Sequence, residues 1–240
     1  MKILADLVSS LDLKAEVRDI RVGPFQTAVL TSNCGLASTP HDYAQHQKHG
    51  LVREAGNLMD RGVLDLVRMA YSSSTLEAAI GMATINSLLE VDEGDCIEVN
   101  AADILAKEGE GKNITIVGHF PFVSSLRRVA KQLWVIERRS IEEDFGEEAA
   151  DKLIPQAEVV GITGTAFINH TIEHLLTLCR HEAYVTVIGG SAPLSPVLFD
   201  YGVDCISGTK VVEPEVVMRC ISQGATYRQI QGIRRLTMKK

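Results

Sequence analysis

The chain has 240 residues, of which 45% are hydrophobic, and a formal net charge of −7 with its histidines neutral. That length and apolar content suffice for one or two domains with true cores, while the acidic balance argues against a nucleic-acid partner, which needs a basic surface. No apolar run approaches the roughly 20 residues of a membrane span; five scattered cysteines without a C-x-x-C pair fit a reducing cytosol, and the expected location is cytoplasmic.

In chain order, the start MKILADLVSSLDLKAEV carries Asp6 and Asp12 where a signal peptide needs an unbroken apolar run, so it reads as an amphipathic helix. Asp19 to Leu30 has strand character, and TSNCGLASTPHDYAQHQKHG reads as a polar loop holding Cys34, His41, Asp42, His46 and His49. The last three are spaced i, i+4 and i+7, one stripe if a helix starts after Pro40. A metal centre needs at least three converging ligands, so a solvated face is the favoured reading. TLEAAIGMATINSLL is nearly all apolar and rich in Ala and Gly, hence a buried helix; Asn86 is its lone amide. A buried amide must find partners, either by capping a neighbouring loop or by pointing into a ligand cleft. Asn100 to Lys112 joins the two halves.

From Asn113 onward, apolar runs of strand length alternate with turns and helical patterns: Ile114–Val117, Leu133–Ile136, Val159–Ile162, Tyr184–Ile188 and Cys205–Ile206. Such alternation implies a parallel sheet covered on both faces. The expected architecture is α/β: a Rossmann-like open parallel sheet of about five strands over residues 99–240, preceded by a smaller α+β domain over residues 1–98. The halves are expected to pack separately and meet at a cleft. The basic tail from Arg228 to Lys240 reads as a solvated end.

Ligands of open parallel sheets bind at the carboxyl ends of the strands. Five turns qualify: Gly118–Phe122, Glu137–Ser140, Thr163–Asn169, Gly189–Ser195 and Ser207–Lys210. The first, GHFPF, lacks G-x-G-x-x-G, and Phe120 and Pro121 fill the space a pyrophosphate needs; Glu137, nineteen residues after Gly118, is a weak echo of a ribose-binding acid. Ordinary NAD use is therefore not expected. His119, directly after a strand, suits a metal ligand or a proton carrier, or a ring packed over the sheet edge. Asn169 suits the N-cap of the following helix, with ligand contact secondary. Ligand binding is expected across Thr163, Gly164, Thr165 and Gly190, Ser191, with Gly164→Val harming binding more than folding.

HTIEH, His170 to His174, matches the H-x-x-E-H pattern of inverted zinc proteases. On one continuous helix, Ile168, Ile172, Leu175, Leu176 and Cys179 share the buried face, and His170, His174 and His181 lie opposite it. The histidines then face solvent or a partner, and no zinc site is expected; replacing His170 and His174 together should leave stability nearly unchanged.

VGHFPF, AEVVGITGTAFINHTIEHLL and VIGGSAPLSPVLFDYGVDCISGTKVVEP, with GLAST and AAIGMATINSLL upstream, resemble the putative heavy-metal chelation family of prokaryotic proteins. The likeness covers nearly the whole chain, most specifically from Gly118 to Pro214. It implies an enolase N-terminal-like domain followed by a Rossmann-like domain, with the site in the cleft between them. The pattern-bearing residues here are Thr163, Gly164, Thr165, Asn169 and Thr171; the candidate ligand contacts also take in Asn86, Gly118, His119, Phe120, Pro121, Glu137, Gly190, Ser191 and Pro193. A heavy or transition metal ion is implied by the resemblance alone. Soft or borderline metals want Cys, His and carboxylate, which Cys34, His119 and Glu137 could supply if the N-terminal loop folds over the sheet edge. Two functions follow as expectations: binding or handling of a metal or metal-chelating small molecule, or an enzyme acting on a small anionic metabolite or nucleotide. Either partner is small; a homo-oligomer is left open.

Overall fold

The computed structural model describes residues 1–40, 52–138 and 144–240. The chain opens with helix α1 (Lys2–Ser9), whose Ile3, Leu4 and Leu7 form one buried stripe. Strands β1 (Asp19–Val22), β2 (Gln26–Leu30) and β3 (Cys34–Ser38) make an antiparallel three-stranded sheet in that order. After α2 (Val63–Arg68), α3 (Thr75–Leu88) packs on β2 and β3. Small residues permit the contact: a Cβ on Gly35 would lie 2.1 Å from the Ala83 carbonyl oxygen, and one on Gly81 would lie 2.0 Å from the Ala70 nitrogen.

The larger sheet is built from β4 (Cys96–Ile97), β5 (Asn113–Val117), β6 (Gln132–Ile136), β7 (Val159–Thr163), β8 (Tyr184–Ile188), β9 (Cys205–Val211) and β10 (Ile233–Lys239). Its helices are α4 (Ala101–Glu108), α5 (Val123–Leu126), α6 (Ala150–Leu153), α7 (Thr165–Ile168), α8 (Ile172–Leu178) and α9 (Pro214–Ser222). Strand order is β4-β10-β9-β8-β7-β5-β6. The five expected strands, β5 to β9, are all parallel; β10 runs antiparallel to β9, and β4 antiparallel to β10. The mixed α/β class is as expected, with two antiparallel strands added. Because β5 lies between β6 and β7, the winding of the chain reverses there, the kind of switch point where doubly wound sheets open a crevice.

Four expectations change. The segment around Cys34 is strand β3 and not loop, since Gly35, Leu36 and Ala37 are small or apolar enough to be sealed under α3. The basic tail is no solvated end: β10 is paired on both sides. The helix through HTIEH is two helices, α7 and α8. Nor do the halves pack separately: one hydrophobic cluster joins Ile3, Leu66 and Ile80 to Val160, Ile162 and Phe167. A second cluster, with Leu105, Ile114 and Leu126, fills the other face of the large sheet, and a third seats α9 against β2 and β3. His41, Asp42, His46 and His49 lie outside the described residues, as does Ser140 of the predicted second turn.

Candidate functional site

Val117, the last residue of β5, is level with Ile136 of β6 and Ile162 of β7. The chain leaves β5 through Gly118 at φ +100, a conformation glycine adopts without penalty. Space demands glycine too: a Cβ would stand 2.9 Å from the Thr163 Cβ. This turn carries His119 out beyond the sheet edge. The His119 N–H donates to Glu137 Oε2 (2.9 Å) and the Arg138 N–H to Glu137 Oε1 (2.8 Å), so Glu137 ties the ends of β5 and β6 together.

His119 Nδ1 lies 2.7 Å from Asp144 Oδ2; the imidazole is 39% exposed and the carboxylate only 2%. A carboxylate can only accept, so the proton belongs on Nδ1 and the Nε2 lone pair is left for a ligand. Metal-binding and proton-transferring imidazoles are oriented in this way. Beside them, Thr163 Oγ1 and Thr165 Oγ1 are 3.0 Å apart, and the Thr165 N–H donates to Thr163 Oγ1 at 3.3 Å.

His119, Glu137, Thr163 and Thr165 line a cavity of about 500 Å³, a volume suited to a small molecule. Its opposite wall comes from the small sheet, through Gln26, Ser38, Thr39 and Pro40. Gln26 is 5% exposed; its Nε2 donates to the Phe25 carbonyl at 2.7 Å, while its buried Oε1 has no partner among the described residues. A second cavity of about 470 Å³ adjoins the first, sharing Ser38, Phe120, Thr163 and Tyr227.

Of the residues singled out from sequence, Gly118, His119, Phe120, Glu137, Thr163, Thr165, Asn169 and Thr171 meet in the first cavity, and Pro121 and Gly190 line the second. The Phe120 ring stacks on Phe122 with centroids 5.0 Å apart. Others serve packing. Gly164 faces the Ser191–Ala192 backbone, where a Cβ would come within 2.4 Å of the Ala192 nitrogen. Ser191 Oγ accepts from the Ser38 N–H at 2.8 Å, and Pro193 is buried. Asn86 Nδ2 donates to the Leu36 carbonyl of β3 at 2.8 Å, a bond that ties α3 to a strand and caps no loop there, and its buried Oδ1 has no partner among the described residues. Asn169 is not a helix N-cap: it closes α7, and Thr171 precedes α8 without a side-chain cap bond. His170 does not face solvent, because its Nε2 reaches the Ala70 carbonyl at 2.8 Å. His174 does lie on an exposed face, 3.1 Å from Asp151. Sequence reasoning missed Gln26, Thr39, Asp144, Tyr227, Arg228 and Arg235. A carboxylate seven residues after Glu137 was the one signal that could have suggested a partner for His119.

The donor set was tested against a heavy metal. Cys34 sits in the cluster beneath α9, away from His119 and Glu137. Burial, aided by the Asp19 charge, pushes its thiol up to about 12. Burial likewise pushes Cys179 up to about 12 and raises Cys96 and Cys205. Soft metals bind thiolates, and these thiols are held protonated and apart. Among the described residues, no three His, Cys, Asp or Glu stand close enough together to hold an ion. The described donor set therefore does not fit a protein-only heavy-metal chelate.

A mixed α/β chain with a cavity at the switch point of its sheet belongs to the class of doubly wound architectures, whose ligands commonly bind at that point. The particular family follows from comparison: the chain belongs to the family described as "Putative heavy-metal chelation", whose DUF364 model matches residues 100–240, while a DUF4213 model of the same description matches residues 5–89. Uncharacterized protein MJ0500 of Methanocaldococcus jannaschii is 24% identical over 222 residues, 87% of this chain and 83% of that one. A DUF364 family crystal structure from Desulfitobacterium hafniense superposes with a TM-score of 0.88 at 23% identity, covering 100% of this chain and 98% of that one. Another from Pyrococcus horikoshii gives 0.86 at 17% identity, with the same coverage. At these identities the two structures speak for the fold alone. Among the described residues, no helix is long and apolar enough to cross a membrane.

Proposed function

We propose that the chain binds a small polar molecule, of the metal-chelating kind its family description suggests, in the cavity between the small sheet and the ends of β5, β6 and β7. The observation that carries this reading is His119, fixed through Nδ1 by buried Asp144 at the mouth of a cavity of about 500 Å³. A metal in this reading arrives held by the small molecule, with His119 Nε2 available as one further ligand. We read residues 1–98 and 99–240 as an enolase N-terminal-like and a Rossmann-like domain; the two family matches, ending at 89 and starting at 100, support the division.

Native mass spectrometry with metal analysis, on protein purified from its own host, tests this. The wild type should carry a small molecule that His119→Ala loses and that Asp144→Asn, which disturbs the imidazole tautomer, retains more weakly. Bare metal bound in equal stoichiometry by wild type and both variants would refute it. A second reading, an enzyme acting on a small anionic metabolite, is favoured by the same His119–Asp144 pair, because an imidazole so held can take up a proton. Conversion of the retained molecule on incubation, abolished by His119→Ala, would select it.

A further inference from the structure

The second cavity differs from the first in charge. Among the described residues no Asp or Glu lines it, although the chain has 31 of them, yet Arg228 and Arg235 both do. Beside them, Gly189, Gly190, Ser207 and Thr237 supply small and polar surface, and Val99, Phe120, Phe122, Ile188 and Leu236 supply an apolar wall. Neither arginine is ion-paired among the described residues, whereas the adjacent Arg234 bonds Glu93 and Glu98. Alternation along β10 explains the contrast, because successive side chains of a strand point to opposite faces.

Arg235 is held in place. Its β-sheet partner is Thr209, whose hydroxyl is 2.6 Å from the Tyr227 hydroxyl, and the guanidinium lies over the Tyr227 ring, 5.5 Å from the centroid. Stacking on an aromatic ring spends the guanidinium's face and leaves its N–H edge free for a planar or tetrahedral oxyanion. Gly189, at φ +115, has open space where a Cβ would stand, so the cavity reaches the backbone at the end of β8.

We infer that this second cavity is an oxyanion subsite, in which Arg228 and Arg235 take the phosphate or carboxylate group of a small molecule. It rests on the proposed function only for the rest of that molecule, which would pass Phe120 and Thr163, shared by both cavities, toward His119. The arginines bind the charged end, and the first cavity reads the remainder.

Titration of the full chain with inorganic phosphate and, separately, with succinate, at ionic strength fixed with sodium chloride, tests the subsite by calorimetry and by the shift in Tm. Saturable binding of either anion is expected, and which of the two binds identifies the group. Arg228→Gln with Arg235→Gln should weaken that binding on the order of tenfold or more, the cost of lost charge-assisted hydrogen bonds. His119→Ala should leave it unchanged, which separates this site from the first cavity. If Arg235→Gln disturbs folding, Arg228→Gln alone carries the comparison. No saturable binding of either anion, or binding undiminished in a folded arginine variant, would overturn the proposal.

Discussion

Two residues show how neighbours far along the chain fix the meaning of a local signal. Gly164 sits in a turn whose composition suggested close approach by a ligand, but the space is taken by the Ser191–Ala192 backbone. Gly164→Ala is therefore expected to destabilise the fold by about 1–3 kcal/mol through overpacking, and Gly164→Val by more; urea denaturation measures both, and a neutral result would count against the contact. The need for glycine was legible from the sequence, while the object it faces was not, because Ala192 lies on a different strand's turn. Glu77, 2% exposed, gave no signal at all. Burial pushes its carboxyl up, but bonds from the Arg53 side chain, the Ser72 hydroxyl and the Arg53 backbone N–H together hold it below its ordinary 4.5. A folded value below the unfolded one means that ionised Glu77 stabilises above about 4.5, a contribution lost as pH falls through the folded value. Glu77→Gln should thus cost most at neutral pH and progressively less on the acid side of 4.5; a difference constant with pH, by urea midpoints, would show the carboxylate plays no such part.

Among the elements, the break between α7 and α8 is the instructive case. Helical period identified most of the buried stripe: Ile168, Ile172 and Leu175 are buried, while Leu176 and Cys179 are only half-buried. Continuity failed. The Thr171 N–H donates to the Ala166 carbonyl and the His170 N–H to the Phe167 carbonyl, with His170 at φ 59. That is a Schellman ending with histidine at the left-handed position glycine usually takes. The local sequence does not announce it, because the stabilising partner, the Ala70 carbonyl, lies a hundred residues away. His170→Ala is expected to destabilise by about 1–3 kcal/mol, from the lost hydrogen bond and the left-handed alanine. His170→Gly should cost less, since it relieves the backbone. His174→Ala, with both partners of its ion pair more than half exposed, should change stability by about 0.5 kcal/mol or less. Thermal denaturation of the three variants separates these outcomes; equal effects at 170 and 174 would contradict the assignment. β3 escaped notice for the opposite reason: Gly35 and Ala37 suit a close helix contact but lack the bulk that marks a strand.

For the molecule as a whole, the alternation of apolar runs and turns after Asn113 made the parallel sheet and its ligand-bearing edge legible, and with it His119, Thr163 and Thr165. The facing wall was hidden, since nothing local to Gln26 or Thr39 says which sheet edge they will meet. The shared core was hidden too, because a change of texture near residue 98 marks a change of architecture and not an end to packing. One core predicts one transition. Trp134, the chain's single tryptophan, stands on β6 in the large sheet, and Ile80 is fully buried in α3 beside the small one. Ile80→Ala should cost about 2–5 kcal/mol and shift the Trp134 fluorescence transition by the same amount as the loss of helix followed by circular dichroism. A Trp134 transition unmoved by Ile80→Ala would mean that the halves unfold independently.

Among the described residues β4 pairs with β10 alone, which has a consequence for how the chain is made. A ribosome delivers Cys96 and Ile97 long before Ile233, so the five parallel strands all emerge while β4 still lacks its β10 neighbour. Large sheets assembled from distant segments pass through forms with unpaired edges, and here the order of synthesis prolongs that interval. Nascent chains arrested after α9 should leave Cys96 open to maleimide, and chains carried past β10 should protect it; equal labelling of both would show that β4 is sheltered some other way. Translation thus closes this sheet from the far side, with a late strand fastening an early one.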